Sequence, residues 1–321
     1  MASTDTTLRS GFELRLGRFT LTWPVLVLGA VVALFALFNY PAFALLMERW
    51  DSDSNYGHGY LIPFIAGYFV WTKKEELLKL EGGSCLWGLA LFLAGLPLRF
   101  LALPLASAVV AGWGIVIMTN GLVLYLGGRR VYRALWLPAV YLAFMVPLPQ
   151  SWYNALAEPL QYFASTVSAS ILDGLLGIPT MQRGNIIELA GHTLQVAEAC
   201  SGMRSIMGLL ALGVAFAYFW ERAMWERIFL VASTIPIAIL ANICRVTGTG
   251  VLYHKGYQEY ALGFYHEFTG WFVFIFAMTL FLFEAWLMDR LFVHDHARPA
   301  EKESGDAPLD GRASGKPAAR P

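Results

Sequence analysis

Long apolar runs separated by short charged clusters are the feature that most constrains this chain. Eight such runs recur along its 321 residues. Hydrophobic residues make up 57% of the chain and charged residues 14%, and the mean hydropathy is +0.53. A soluble domain of this length cannot bury so much apolar surface, whereas a bilayer accepts it as transmembrane helices. The sequence therefore predicts an all-α polytopic membrane protein.

The predicted spans cover residues 21–47, 57–71, 86–100, 105–126, 134–147, 203–220, 228–247 and 268–288. We expect residues 1–20 to form a cytoplasmic N-terminus, 21–290 the membrane domain, and 291–321 a disordered cytoplasmic tail rich in Pro, Ala, Gly and charge. The first run is too long for a signal peptide and has no clear small-x-small cleavage site. It is therefore interpreted as an uncleaved anchor.

Residues 148–200 interrupt this pattern between the fifth and sixth runs. Within residues 152–176, apolar side chains recur at steps of three or four, with polar residues between them. This spacing predicts an amphipathic helix that lies in the membrane interface. Residues 185–189 and 193–196, separated by Ala190-Gly191-His192, then predict a short β-hairpin.

The distribution of Lys and Arg predicts the orientation. With the N-terminus in the cytoplasm, the inner segments hold seventeen Lys and Arg residues and the outer segments hold six. The positive-inside rule then favours a cytoplasmic N-terminus and C-terminus, which an even number of spans allows. The 148–200 segment accordingly lies on the outer face.

A polar stretch, Val196 to Ser205, stands at the start of the sixth run. It contains an acid, a thiol, two hydroxyls and an arginine in a chain that is otherwise mostly apolar, namely Glu198, Cys200, Ser201, Arg204 and Ser205. Small cysteines in membrane helices usually serve packing, and we assign that role to Cys85 and Cys244. The polar surroundings of Cys200 indicate an active site instead.

Two further reactive side chains fall at a similar predicted depth. The seventh run ends in Asn242-Ile243-Cys244-Arg245, and the eighth begins beside His266. Taken singly, Arg245 could reach lipid phosphates and His266 could be an inert interfacial residue. Together with Cys200 they suit acyl transfer, with a thiolate nucleophile, an imidazole acid and base, and a guanidinium that stabilises an oxyanion.

Several residues have supporting roles that the sequence leaves open. Arg204 could bind an acidic group of the substrate or anchor at lipid headgroups. Glu198 could orient His266 or pair with Arg204. His58 and His192 are outer-face histidines that could replace His266 as the base, whereas His254 is expected to be solvated.

The motifs Ala199-Cys200-Ser201-Gly202-x-Arg204-Ser205, Asn242-x-x-Arg245-Val246 and His266-x-x-x-Gly270 resemble, in this order, those of the exosortase family of bacterial membrane transpeptidases. The stretch Tyr56 to Pro63 and the segment from Pro147 to Pro179 are similar to that family as well. The resemblance covers most of the chain. It implies that Cys200 is the nucleophile, His266 the acid and base, and Arg245 the stabilising cation.

The resemblance also implies a substrate class and a location. Such enzymes cleave exported proteins at a C-terminal PEP-CTERM signal, which combines a Pro-Glu-Pro motif, a transmembrane helix and a basic tail. They are thought to transfer the protein to a surface acceptor, a glycan or a lipid, in connection with exopolysaccharide and biofilm production. The expected location is the bacterial inner membrane, with the active site facing the periplasm or exterior.

Two other functions remain open from the residues alone. A membrane thiol oxidoreductase would pair Cys200 with Cys244, although close cysteine pairs and a quinone-site signature are missing from the sequence. A transporter or polysaccharide-handling protein would show internal repeats and broken helices, and no convincing repeat is present. We expect no metal or organic cofactor and no nucleic-acid partner, because the sequence carries no motif for either.

Overall fold

The computed structural model describes residues 13–16, 19–80, 82–189, 192–195, 203–257 and 264–292. Its side chains are described for residues 26–80, 82–189, 194, 203–257 and 273–292. Within this part, helices dominate, as the sequence predicts. The α-helices are α1 Trp23–Ser52, α2 Ile62–Thr72, α3 Lys74–Lys79, α4 Leu86–Ala102, α5 Ala108–Tyr141, α6 Gln150–Ser170, α7 Met203–Phe219, α8 Met224–His254 and α9 Phe264–Leu291.

Two short antiparallel sheets accompany the helices. β1 Glu13–Leu16 and β2 Phe19–Thr22 form a hairpin directly before α1, in a segment for which the sequence predicted only a polar N-terminus. The strands β3 Thr180–Arg183, β4 Ile186–Leu189 and β5 His192–Gln195 form a sheet with β4 at its centre. The predicted hairpin is therefore confirmed, and β3 adds a strand to it.

Three helical segments are long and apolar enough to cross a bilayer, namely Leu26–Ser52, Ala108–Met145 and Met224–His254. Leu86–Ala102 and Met203–Phe219 are shorter apolar helices of the same kind. Many of their large apolar side chains are exposed, as expected for helices that contact lipid. The chain is an integral membrane protein, and the number of eight spans stays a prediction.

The element α5 is two helices that fold back on each other. Gly128 has φ +71° and ψ −177°, which breaks the helix. Asn120 Nδ2 donates to the Ala139 carbonyl oxygen at 3.1 Å, although a straight helix would separate these residues by about 28 Å. Only glycine suits position 128, since a Cβ there would lie 2.5 Å from the Gly83 carbonyl oxygen. The fourth and fifth predicted spans correspond to these two halves.

Helix α4 packs against α5 with almost no space between the backbones. A Cβ on Gly88 would lie 2.2 Å from the Tyr125 backbone nitrogen, and one on Gly121 would lie 2.4 Å from that of Phe92. Such close approach through small residues is typical of helix pairs in membranes. Arg99 of α4 is 6% exposed and donates to the Phe38 carbonyl oxygen at 2.9 Å, which ties α4 to α1.

Helices α7, α8 and α9 form a second packed group. Their contacts include Gly213 of α7 against Thr234 of α8, and Phe216 of α7 against Phe281 of α9, with ring centroids 5.6 Å apart. At one end, which we call the turn end, residues 220–223 connect α7 to α8, and Arg222 pairs with Asp289. At the other, the sheet end, Ile187 and Leu189 of β4 pack with Val246 and Tyr253 of α8.

Several predicted boundaries were wrong. Helix α8 continues to His254, so it extends past the predicted end of the seventh span, and the exposed His254 is its last residue. The second predicted span is divided into a 3-10 turn, Gly57–Tyr60, and the 11-residue α2. Glycine at positions 57 and 59 disfavours a regular helix there. The C-terminal tail lies outside the described residues.

Candidate active site at the sheet end

Arg245 lies inside α8, nine residues before the end of that helix at His254. It is half-buried, and its Nη2 donates to Asn242 Oδ1 at 2.9 Å. Asn242 is 2% exposed and stands one turn earlier on the same face of the helix. The amide therefore orients the guanidinium. The sequence predicted Arg245 near the end of a span, whereas the structure places it within α8, between neighbours that contact α6 and the sheet.

Those elements pack on both sides of Arg245. Ser168 of α6 donates its hydroxyl to the Ile243 carbonyl oxygen at 3.3 Å, and Val246 belongs to the apolar cluster beneath the sheet. Burial of a cation at this position has a high free-energy cost. Such a residue is found where it has a function or a compensating group. The packing holds Arg245 within the protein at the level where the sheet begins.

The helix register shows what lies level with Arg245. A Cβ on Gly213 would be 2.7 Å from Thr234 Cγ2, so these two positions are adjacent. Ten residues back from Gly213 is Met203, and ten residues on from Thr234 is Cys244. Because both helices rise about 1.5 Å per residue, the first residue of α7 lies level with Cys244 and Arg245.

Helix α9 can be placed by the same argument. A Cβ on Gly208 would be 3.5 Å from Phe274 Cε2, and five residues back from each are Met203 and Thr269. His266 lies in the first turn of α9, three residues or about 4.5 Å beyond Thr269. The backbones of α7, α8 and α9 thus bring Met203, Arg245 and His266 to one end of the bundle. The side chain of His266 is outside the described part.

Cys200, Glu198 and Ser201 also lie outside the described residues, as does the His192 side chain. Three peptide units separate Cys200 from Met203, which limits the distance between their Cα atoms to about 11 Å. The predicted geometry between the thiol, the imidazole and the guanidinium therefore stays a prediction. The prediction requires three consecutive helices to reach the same level. The backbones of α7, α8 and α9 meet this requirement, and the described part of α7 begins at Met203.

Arg204, in the first turn of α7, is held by the loop that follows α1. Its Nη2 donates to Ser54 Oγ, and its Nε is buried without a hydrogen-bond partner among the described residues. Sequence reasoning missed Ser54, because nothing in the chain links two positions 150 residues apart. The loop after α1 therefore forms one wall beside the start of α7.

This loop is anchored by Trp50. Its indole Nε1 donates to the Met145 carbonyl oxygen at 3.0 Å, and its ring meets Tyr60 with centroids 4.8 Å apart. A Cβ on Gly59 would lie 2.4 Å from Trp50 Nε1, so the turn passes beneath the indole only as glycine. Tyr56 is also buried here, and burial raises its pKa to about 12. The wall is therefore rigid and carries a neutral phenol.

His58 lies in the same loop, in the 3-10 turn before α2. Burial lowers the pKa of His58 below its usual value, against the opposing effect of the Phe144 and Asn55 backbone groups. Its Nε2 is buried and has no hydrogen-bond partner within the described structure. A neutral imidazole has the protonation state of a base, so His58 stays an alternative to His266.

Helix α6 shows an inverted amphipathic pattern. Its polar residues Gln161, Ser165 and Ser168 are 6%, 0% and 0% exposed, whereas Trp152 and Phe163 are 66% and 52% exposed. A soluble helix would bury the aromatic residues; here the polar side chains face the protein. Asn185 Nδ2 donates to Gln161 Oε1 at 2.9 Å and fastens the sheet to this helix. The predicted amphipathic helix is confirmed, with its apolar face available to lipid.

Among the described residues, no group of three or more His, Cys, Asp or Glu side chains is arranged to hold a metal ion. Cys244 is a free, exposed thiol on the opposite side of α8 from Asn242.

Comparison with known protein families is consistent with this arrangement. The sequence model of the family described as transmembrane exosortase matches residues 50–283, well over half of the chain. This chain belongs to the transmembrane exosortase family. The match begins at Trp50, which anchors the loop after α1, and ends within α9. Comparisons with curated proteins and with solved structures gave no match.

The matched region of this exosortase includes the loop after α1 and the helices of the candidate site. It runs from Trp50 through α6, the sheet and α8 to residue 283, about two thirds of the way along α9. The hairpin of β1 and β2 and most of α1 lie before it. The elements that meet at the sheet end are therefore the ones that the family shares.

Proposed function

We propose that this exosortase is a membrane cysteine transpeptidase in which Cys200 is the nucleophile, His266 the general base and acid, and Arg245 the oxyanion-stabilising cation. The observation that carries the proposal is the helix register. It brings Arg245 level with the first residue of α7, Met203, three residues after Cys200, and brings the first turn of α9 to the same end. The family match supports a peptidase or transpeptidase chemistry.

The reaction begins with proton transfer from the Cys200 thiol to the His266 imidazole. The thiolate attacks the carbonyl carbon of the scissile peptide bond, and Arg245 stabilises the negative charge on its oxygen. The intermediate collapses as His266 donates its proton to the leaving amine. The N-terminal part of the substrate is then a thioester on Cys200.

The second half-reaction releases this thioester. An amine or hydroxyl of a surface acceptor, a glycan or lipid, loses a proton to His266 and attacks the thioester carbonyl. The Cys200 sulfur leaves and regains the proton. Water in the same place would give hydrolysis. Asn242 contributes by holding the Arg245 guanidinium in one orientation, since it accepts a hydrogen bond from it at 2.9 Å.

The proposed substrates are exported proteins with a PEP-CTERM-like signal, linked to exopolysaccharide and biofilm export. We propose that the sheet end faces the periplasm or exterior of a bacterial inner membrane. Lys73, Arg222 and Arg227 cluster toward the turn end, as the positive-inside rule requires of a cytoplasmic face. A substrate helix with a basic tail would then present its motif on the side of Cys200.

We propose that the three-stranded sheet binds the extended motif. Among the described strands, β3 and β5 each have one edge that no strand covers, because β4 lies between them. An extended peptide can add to such an edge through backbone hydrogen bonds. The strand β5 is the nearer candidate, because it ends five residues before Cys200. Cleavage that survives removal of residues 185–195 would count against this role.

Co-expression with a PEP-CTERM protein tests the function. Cys200→Ala should abolish the mobility shift that marks cleavage, whereas Cys244→Ala should process the substrate at the wild-type rate. Cys244 is a matched control, because it lies at the same level but its side chain is exposed. Processing that persists in Cys200→Ala would refute the nucleophile, and equal loss in both variants would favour a thiol oxidoreductase.

A further inference from the structure

An apolar groove opens at the turn end, away from the candidate active site. It lies between the second half of α5, α7 and the start of α8, and its volume is about 610 Å³. Its walls are formed by small and branched side chains, including Ala134, Leu137, Val214, Ala217, Val231 and Ile235. A cavity of this size can hold one small or chain-like molecule.

The rim of the groove is cationic. Lys73 and Arg227 line it, and none of the other described lining residues is charged. Lys73 Nζ lies 5.8 Å above the Tyr218 ring, and Arg227 Nε donates to the Arg222 carbonyl oxygen at 3.0 Å. The nearest partner of Lys73 is the exposed Glu76, at 4.0 Å and one helical turn away. This pair is partly solvated, with side chains 28% and 57% exposed, so it binds weakly and leaves the ammonium able to accept another anion.

The length of the groove matches half a membrane. Along α8 it extends from Met224 to Ile235, which is about 16 Å of helix. Half of a hydrocarbon core about 30 Å thick is about 15 Å. The groove therefore extends from its charged rim to about the middle of the bilayer.

We propose that this groove binds an anionic phospholipid of the leaflet at the turn end. The headgroup phosphate lies between Lys73 and Arg227, and an acyl chain lies along Val214, Val231 and Ile235. Basic pockets between transmembrane helices are suited to anionic headgroups. The lipid fills the wedge between α5, α7 and α8, and so stabilises the pair of helices that carries Arg204 and Arg245.

A transmembrane helix of another protein fits the groove less well. A 20-residue helix about 30 Å long and 10 Å across occupies roughly 2,400 Å³, several times the groove volume. Such a helix would also need a groove through both leaflets. A basic segment following that helix would meet the like charges of Lys73 and Arg227.

Thermal stability of the full-length protein in detergent tests the proposal. Added phosphatidylglycerol should raise the melting temperature of the wild type, whereas phosphatidylcholine should raise it much less. In Lys73→Gln/Arg227→Gln, the apparent affinity for phosphatidylglycerol should fall roughly 25-fold, since each basic residue near an anionic headgroup contributes about fivefold. Arg129→Gln/Arg130→Gln, which removes two exposed arginines elsewhere, should keep the wild-type affinity.

A photo-crosslinking residue at position 231 identifies the occupant of the groove. A phospholipid adduct detected by mass spectrometry is the expected result. A protein adduct in place of the lipid would overturn the proposal, as would equal stabilisation of the wild type by both lipids. Loss of lipid affinity in Arg129→Gln/Arg130→Gln as large as in Lys73→Gln/Arg227→Gln would also overturn it, because the effect would then be one of general surface charge.

Discussion

The α4–α5 interface and the α7–α8–α9 group are built in opposite ways. In the former, glycines bring backbones into contact, so that a Cβ on Gly88 would lie 2.2 Å from the Tyr125 nitrogen. In the latter, side chains fill the space, and polar residues such as Asn242 and Arg245 collect toward one end. The first interface can only hold helices together. The second also brings reactive groups to one level, among them the half-buried Arg245.

This difference predicts separable effects of substitution. Changes at the α4–α5 interface should lower stability and leave the chemistry of the remaining folded protein intact. Changes at the sheet end of α7, α8 and α9 should lower activity with little loss of stability.

The largest expected effect is at Arg245. Arg245→Gln keeps an N–H donor for Asn242 but removes the positive charge. Because that charge stabilises the oxyanion, the rate of substrate cleavage should fall about 10²- to 10³-fold, as it does when an oxyanion donor is lost. The measurement is single-turnover cleavage by purified protein, with thermal stability as the control. Arg290→Gln, which removes an exposed arginine at the turn end of α9, should leave the rate unchanged.

The two histidines provide the next test. His266→Ala should lower the cleavage rate about 10²- to 10⁴-fold, the contribution of a general acid and base. His58→Gln should change it less, because His58 lies in the wall formed by the loop after α1. A larger fall in cleavage rate for His58→Gln than for His266→Ala would assign the base role to His58. The proposal that the catalytic residues are those at one level of α7, α8 and α9 would then be wrong.

Gly121→Ala tests the tightly packed interface. Its Cβ would lie 2.4 Å from the Phe92 backbone nitrogen, so the helices must separate, at a cost of about 1–3 kcal/mol. Gly67→Ala in α2 is the matched control, because nothing lies within 4 Å of its Cβ position. Thermal unfolding should show a lower melting temperature for Gly121→Ala alone, with unchanged activity per folded molecule. Equal melting temperatures would contradict the close packing.

Acid should destabilise the protein through His58. Burial lowers its folded-state pKa, so the unfolded chain binds the proton more readily as the pH falls below the ordinary histidine value of about 6.5. Stability is therefore complete above that pH and declines below it. Melting temperatures between pH 8 and 5 should show a smaller decline in His58→Gln than in the wild type. His254→Gln, at an exposed position, should decline as the wild type does.

The smallest expected effect concerns the wall beside α7. Arg204 donates a hydrogen bond to Ser54, whose side chain is exposed to solvent, so the bond contributes little to stability. A double-mutant cycle with Arg204→Gln and Ser54→Ala should give a coupling free energy of unfolding of about 0.5–1 kcal/mol. A coupling near zero would mean that this hydrogen bond does not stabilise the loop after α1.

Apolar periodicity was enough to predict most of the fold. The helices predicted as the fourth and fifth spans, the amphipathic α6 and the β4–β5 hairpin follow from local patterns, and the structure confirms their secondary structure. The strand β3 was missed because only Thr180 in Thr180–Arg183 has a strong strand preference, although Gly184-Asn185 is a favoured two-residue turn. The end of α8 was misplaced because the apolar run ends near Thr247, whereas Leu172 packs against Gly250 and the helix continues to His254.

The candidate site was less predictable than the fold. The chemistry of the residues identified Arg245 and its approximate depth in the membrane. The contact of Arg204 with Ser54 could not be identified in this way, because it depends on packing between segments far apart in sequence. The hydrogen bond between His58 and the Phe144 backbone depends in the same way on segments far apart in sequence. Hydropathy indicates the environment along a single helix. It does not indicate which loops pack against each other at the helix ends.

The covalent intermediate tests the central claim most directly. Full-length protein is incubated with a PEP-CTERM substrate, quenched in acid and digested, and the peptide that contains Cys200 is analysed by mass spectrometry. The account predicts a mass increase on Cys200 that corresponds to the N-terminal part of the substrate, is removed by hydroxylamine, and does not form in Cys200→Ala. An adduct on another residue, or full cleavage by Cys200→Ala, would contradict it.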